Sequence, residues 1–293
     1  MAPRLRPGLR AVRAWSLTLL YVPLLYAAGW LLALPLRIWR PEPEPASIAL
    51  IGTGISVLLL LATLPGWVRR RWRSKAPWRE LGLAGPLRQQ LLAWIRGLLA
   101  SAALLSPLVV VLLLGGWAQW QPRLTAGIAG NALALMLGVG LAEEVLFRGW
   151  LWGELGQRLG DPGCRQQPAL LSQAAVFSVA HTRFNLGPSA MLSLLGGLLL
   201  LGWALALQRR RDGGRLGGAI GFHGGLVGGW FLLVAGLVEL PADAPALLIG
   251  PGGAAANPIG GLAGWLGLGA WLVHLQGWRP GRRRAGRAPA DAA

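Results

Sequence analysis

The sequence predicts an all-α fold, a polytopic membrane helix bundle of about eight transmembrane helices. Three observations predict it. Hydrophobic residues make up 54% of the chain and charged residues only 13%, with a mean hydropathy of +0.50, whereas a soluble domain carries about 25% charge. Apolar runs recur at about 20 residues, the length that crosses a bilayer's hydrocarbon core. The net charge of +17 is concentrated between those runs, as in the loops of a multi-pass membrane protein. Disorder is excluded, because too much apolar surface would stay in water. On a soluble domain this charge would suggest nucleic acid. Here it reports topology and contact with anionic membrane lipid, and no nucleic-acid partner is expected. Cys164 is the only cysteine, which excludes a disulfide framework and a cysteine-based metal cage.

Taken in order, the apolar runs place spans at Trp15–Leu36, Ser47–Trp67, Leu91–Trp117, Ala126–Trp152, Pro168–Ala180, Ser189–Leu207, Leu216–Leu240 and Ile259–Leu275. The first follows a basic segment, Arg4 to Arg13, but is too long for a signal-peptide core of about 7–15 residues, so it is expected to be retained. The fifth is the shortest. With eight spans, 22 of the 28 basic residues fall on one side. They lie at the N-terminus, in the loops at Arg69–Arg88, Arg158–Arg165 and Arg209–Arg215, and in the tail from Arg279. The positive-inside rule then makes both termini cytoplasmic. Trp15, Trp39, Trp67, Trp117, Trp120, Trp150, Trp152 and Trp278 lie near span ends, where an amphipathic ring suits the headgroup level. Pro41–Pro45 reads as a stiff connector of polyproline character, and Gly250–Asn257 as a Gly/Ala-rich loop. The expected organisation is a three-span region at 1–125, a core at 126–277 and a basic disordered tail at 278–293.

The informative residues are ionisable groups inside apolar spans. Each costs roughly 2.5–3.5 kcal/mol at a helix centre, so it marks a candidate site. Glu143 and Glu144 are adjacent within an apolar run. Glu144 and Arg148 are four apart, so they share a helix face and can pair. Glu143 points about 100° away and is free to face a cavity. A helix end with solvated charges is the competing reading, but Phe147, Trp150, Leu151 and Trp152 continue the apolar run beyond them. His181 has Phe177 one turn below on the same face. His223 lies in a stripe of glycines, Gly217, Gly221, Gly225 and Gly229, whose fourfold spacing lets another helix approach closely. His274 reads as interfacial and stays outside the site. A carboxylate with two imidazoles in a buried pocket can activate water directly or bind a divalent metal. The chain has neither an H-E-x-x-H nor a G-x-S-x-G motif.

The ordered trio Glu143-Glu144-x-x-x-Arg148, Phe177-x-x-x-His181 and His223 resembles the three motifs of the CAAX-protease and bacteriocin-processing family of intramembrane endopeptidases. That family includes the Ras-converting endopeptidases. The resemblance covers about Ala132 to Val238. It implies that Glu143 and His181 activate the hydrolytic water and that His223 holds the water or stabilises the oxyanion. Glu144, Arg148 and Phe177 would be supporting residues. It implies a peptide or membrane-protein substrate. Eukaryotic members remove a tripeptide after a prenylated cysteine, and bacterial-type members act in peptide processing, immunity or envelope functions. The family is often called a metalloprotease, and Glu143, His181 and His223 would satisfy a three-ligand zinc site. One position departs from the pattern. The third motif usually has Asn four residues after its His, and here that residue is Val227, which donates no hydrogen bond. A backbone amide, Asn185 or Asn257 is the available substitute.

Straight spans would separate the trio. Glu143 lies about 25 Å along the fourth span from the outer face, and His181 about 20 Å along the fifth from the inner face. The site therefore needs a tilted or partly inserted fifth helix, or a fourth helix that sits deeper. The residues leave other functions open: a non-catalytic relative acting as a membrane interaction or immunity protein, a transporter using Glu143 and His223 as a proton relay, and a Ser–His dyad of Ser189 with His223.

Overall fold

The computed structural model describes residues 7–36, 45–159, 167–241, 244–252 and 256–277. Trp39, residues 41–44 of the expected connector and the basic tail from 278 lie outside the described residues. Among the described residues, six helices are long and apolar enough to cross a membrane: Trp15–Ala33, Ile48–Arg71, Leu87–Leu114, Ala126–Arg158, Pro188–Arg211 and Gly217–Gly236. Their leucines stand exposed along the helix shafts, as at Leu19, Leu50, Leu99 and Leu192. That surface suits hydrocarbon and is far more extensive than a water-soluble monomer carries. The chain is an integral, multi-pass membrane protein with an all-α fold. The fifth and eighth expected spans are also helical, at Gln167–Ala180 and Leu262–Gly277. With 14 and 16 residues, they reach only about 21 and 24 Å, short of a core of about 30 Å. Six helices therefore reach the full crossing length, and the length criterion does not confirm the expected count of eight.

The chain forms two compact units, Met1–Trp78 and Arg79–Ala293. In the first, α1 (Pro7–Ala33) and α2 (Pro45–Arg71) make an antiparallel pair. Gly29 admits the helices to close contact, since a Cβ there would collide with Ser56. Toward the other end, the Tyr21 hydroxyl lies 2.6 Å from Thr63 Oγ1, its ring lies 4.3 Å from that of Trp67, and Arg71 donates to Thr18. These pairs run in opposite senses along the two helices and so fix the antiparallel register.

The second unit holds α3 (Leu87–Leu114), α4 (Ala126–Glu143) continued by a π-helical segment (Glu144–Leu151), and α5 (Trp152–Arg158). It continues with α6 (Gln167–Ala180), α7 (Pro188–Arg211), α8 (Gly217–Gly236) and α9 (Leu262–Gly277). A two-stranded antiparallel ribbon, β1 (Gln119–Trp120) with β2 (Val238–Glu239), ties the end of α8 to the segment before α4. The glycine stripe works as its spacing implies. Gly217, Gly221 and Gly225 lie against Gln90, Trp94 and Ser101 of α3, too close for a Cβ. A second stripe, Gly224 and Gly228 on α8, sits against the backbone of α4 at Met136 and Ala132, and Gly140 returns the contact against α8. α8 is thus clamped between α3 and α4, so the third span packs in the same unit as the candidate core.

Two expectations from the sequence change here. Trp150 and Trp152 are 3% and 1% exposed. They are core residues rather than headgroup anchors, because the π segment carries them inward, and Trp152 packs with Leu155, Leu170 and Ala206. Arg209, counted among the loop charges, is also buried. Its guanidinium donates to the carbonyls of Arg148, Glu80 and Gly214, so the buried cation meets backbone acceptors at the end of the bundle.

Candidate active site

The site begins where α4 changes winding. Glu143 is the last residue of the regular α-helix, and Glu144 opens the π segment. A π-helix closes its hydrogen bonds one residue later than an α-helix and is a common feature of functional sites. Here the Trp152 N–H bonds to the Phe147 carbonyl. The wider turn packs Glu144, Val145, Phe147, Arg148, Gly149 and Trp150 inside the unit while leaving Glu143 facing a cavity.

Glu144 and Arg148 form the expected pair, with Nη1 2.8 Å from Oε1 and both side chains 0% exposed. The same Oε1 also accepts from His223 Nδ1 at 2.8 Å. Arg148 lies over the Phe177 ring, 4.1 Å from its centroid, a geometry in which the ring's electron-rich face favours a cation. Phe177 is the hub of the packing. Its ring stands edge-on to Phe147 at 5.0 Å and to His223 at 5.7 Å, and it also meets His181 at 4.6 Å.

α6 is short, and side-chain bonds to α7 position it. Gln173 donates to the Gly202 carbonyl and Ser178 to the Leu195 carbonyl. Ala174 packs where a Cβ on Gly202 would lie. His181 follows directly at the end of α6, its Nδ1 2.7 Å from the Phe177 carbonyl. A half-length helix ending at this depth removes the separation that straight spans would impose.

The three motifs meet at Glu143. Its Oε2 lies 3.3 Å from His181 Nε2 and 3.7 Å from His223 Nε2. The ring partners assign the tautomers. A backbone carbonyl beside His181 Nδ1, and an ionised carboxylate beside His223 Nδ1, each require a proton on that nitrogen. In the neutral rings both Nε2 atoms therefore turn lone pairs toward Glu143. Glu143 Oε2 is itself buried without a hydrogen-bond donor, so three acceptors converge on one point. That point wants a group with protons to give, as a water has, or a cation.

The trio borders a cavity of about 470 Å³. Its walls are mostly apolar, with Leu135, Val139, Leu226, Trp230 and Phe231 among them, and its other polar residues are Arg183 and Asn257. Val227 also lines the cavity. Asn257, floated from the sequence only as one of several substitutes, stands in this wall, and its Oδ1 accepts from the Ile259 N–H. That bond leaves the Nδ2 protons as the donating edge. The loop carrying it is fastened to α8 by Trp230, whose indole donates to the Ala256 carbonyl, and to α7 by Ser193, which donates to the Gly260 carbonyl. Asn185 and Ser189 are not among the cavity-lining residues.

Residues 125–228 match the family model described as type II CAAX prenyl endopeptidase Rce1-like. The chain carries an Rce1-like domain. Glu143, Glu144, Arg148, Phe177, His181 and His223 all fall inside it, and Asn257 and α9 lie beyond it. Residues 3–76, nearly the whole first unit, match a separate model of a domain of unknown function. No curated protein and no solved structure matches the chain. As they stand, no three or more His, Cys, Asp or Glu among the described residues of the Rce1-like domain are grouped to hold a metal ion. The chemistry of the donors does fit zinc: two imidazole Nε2 atoms and one carboxylate, each ring held at Nδ1 by an acceptor.

Proposed function

We propose that the Rce1-like domain is an intramembrane endopeptidase that hydrolyses a peptide bond with a water activated by Glu143 and His181. The observation that carries this reading is the convergence of Glu143 Oε2 with both Nε2 atoms at 3.3 and 3.7 Å on the wall of an apolar cavity. A water held there donates one proton toward the carboxylate and one toward an imidazole, which turns an oxygen lone pair outward. As that oxygen attacks the peptide carbonyl carbon, Glu143 takes the proton, a general-base step. The carbonyl oxygen becomes an oxyanion, for which Asn257 Nδ2 is the donor in place of the amide that Val227 cannot supply. The proton passes to the leaving nitrogen, the C–N bond breaks, and a carboxylic acid and an amine remain. Glu144 and Arg148 act through His223 by fixing its tautomer and ring plane. The apolar walls favour a peptide presented with a lipid chain or from a membrane segment. Both termini are cytoplasmic in this proposal, because the short α6 and α9 return the chain along the bundle and so keep the Arg69–Arg88 and Arg209–Arg215 loops at one end, where Arg209 meets Glu80 and Arg96 meets Asp212.

A second reading shares the same residues. Glu143, His181 and His223 would hold zinc, which supplies a Lewis acid and an acidified water. The carbonyl and carboxylate behind the two Nδ1 atoms are the orienting partners such ligands use. Metal analysis of the purified protein separates the two readings. The deciding experiment for hydrolysis is cleavage of a peptide library by the purified chain beside Glu143→Ala, His181→Ala and Asn257→Ala. Wild type is expected to cleave, the first two variants to lose cleavage, and Asn257→Ala to lose about 100- to 1,000-fold. Equal cleavage by all four ends the enzyme proposal and leaves a membrane interaction protein.

A further inference from the structure

A second cavity, of about 550 Å³, lies between α3, α7 and α9, away from Glu143. Its chemistry is the opposite of the first. Arg96 and Arg211 stand in its wall with His274, Trp271, Gln208 and Asp212. The residues come from the N-terminal half of α3 and the C-terminal ends of α7 and α9. All three belong to the end of the bundle that carries the arginine-rich loop, the depth at which lipid headgroups sit.

The wall is built and pre-oriented. Asp212 is 4% exposed and receives Arg96 at 3.3 Å and Gln208 Nε2 at 2.9 Å. Arg211 Nη1 lies 2.6 Å from His274 Nε2, and Trp271 stacks on His274 at 5.0 Å. Two polar atoms in this wall are left over. The buried Trp271 indole N–H has no acceptor, and the buried Gln208 Oε1 has no donor. A buried polar atom without a partner costs about 1–3 kcal/mol, so this pair asks for a ligand that accepts at one point and donates at another. Two guanidinium groups beside them ask that the accepting part be anionic.

We propose that this cavity binds the phosphate of an anionic phospholipid headgroup that also carries a hydroxyl or ammonium donor. Arg96, Arg211 and the Trp271 N–H hold the phosphate oxygens, and Gln208 Oε1 receives the headgroup's donor. Free phosphate shares the first half of this chemistry, and the experiment distinguishes the two sources.

The test titrates the full chain in a neutral detergent with dihexanoyl phosphatidylglycerol, dihexanoyl phosphatidylcholine and inorganic phosphate, and reads adducts by native mass spectrometry. Phosphatidylglycerol is expected to bind more tightly than phosphatidylcholine, which has no headgroup donor. Arg211→Gln and Arg96→Gln should each weaken it about fivefold, and Trp271→Phe, which keeps the ring and removes the N–H, about threefold. Arg88→Gln removes an exposed arginine outside this wall and should change nothing. Competition by millimolar inorganic phosphate would assign the site to free phosphate, and its absence would assign it to lipid. Trp271→Phe and Arg211→Gln leave the buried Asp212 pair intact, so they report even where Arg96→Gln fails to fold. Equal binding of the two lipids, equal binding by wild type and Arg211→Gln, or an equal loss in Arg88→Gln overturns the proposal.

Discussion

Two Glu-x-x-x-Arg pairs stand close together in the chain, Glu144 with Arg148 and Glu154 with Arg158. Their pairing distances are 2.8 and 2.7 Å, and their carboxylates are 0% and 2% exposed. On sequence spacing and pair geometry they are the same object. They differ in what surrounds them. Arg158 is 14% exposed and lies in the last turn of α5, where a cation suits the helix's negative end. Arg148 is fully buried over an aromatic ring, and the carboxylate it holds also holds an imidazole. The comparison teaches that a buried ion pair does not make a site. A site arises where the pair's spare valence fixes a third group against a neighbour with a free lone pair, here Glu143.

The largest expected effect tests that statement directly. Glu143→Gln keeps the shape and removes the base, so hydrolysis should fall about a thousandfold or more while the melting temperature stays near wild type. A variant that cleaves at the wild-type rate breaks the comparison, because the first pair would then support nothing. Next in size is Glu144→Gln. It strands a wholly buried guanidinium, and removing one partner of such a pair costs about 3–5 kcal/mol, read by thermal unfolding in detergent. Adding Arg148→Met should recover most of that stability without recovering hydrolysis, since an amide at position 144 can turn either its oxygen or its NH2 to His223 Nδ1 and no longer fixes one tautomer. The smallest effect belongs to Glu154→Gln. Arg158 reaches solvent, so the loss should be near 1 kcal/mol, with the cleavage rate unchanged. A drop in cleavage to match Glu144→Gln would show that the two pairs are not functionally distinct.

Much of this was legible in the chain. The apolar runs locate the helices, because a backbone in lipid has to satisfy its own hydrogen bonds. The rarity of charge inside those runs singles out Glu143, Glu144, Arg148, His181 and His223, and the glycine spacing announces a close helix contact. The failures also have physical causes. A π segment has no apolar period of its own to read, so Trp150 and Trp152 counted as span-end anchors. Arg209 follows an apolar helix as any loop arginine does, and only the carbonyls it meets across the unit reveal it as buried. The second glycine stripe, Gly224 and Gly228, becomes visible once α4 is known to lie opposite.

By itself the sequence determined that the chain lives in a membrane, where its helices run and which ionisable groups are too costly to be there by accident. Those follow from composition and from spacing along one strand of chain. The tertiary structure alone decided that the carboxylate and the two rings meet, that Asn257 stands in the wall where Val227 donates nothing, and that a basic cavity forms from α3, α7 and α9. Each joins residues 30 or more positions apart. Their distances depend on the stopping depth of a short helix and the added residue of a π turn, which packing sets and local sequence does not.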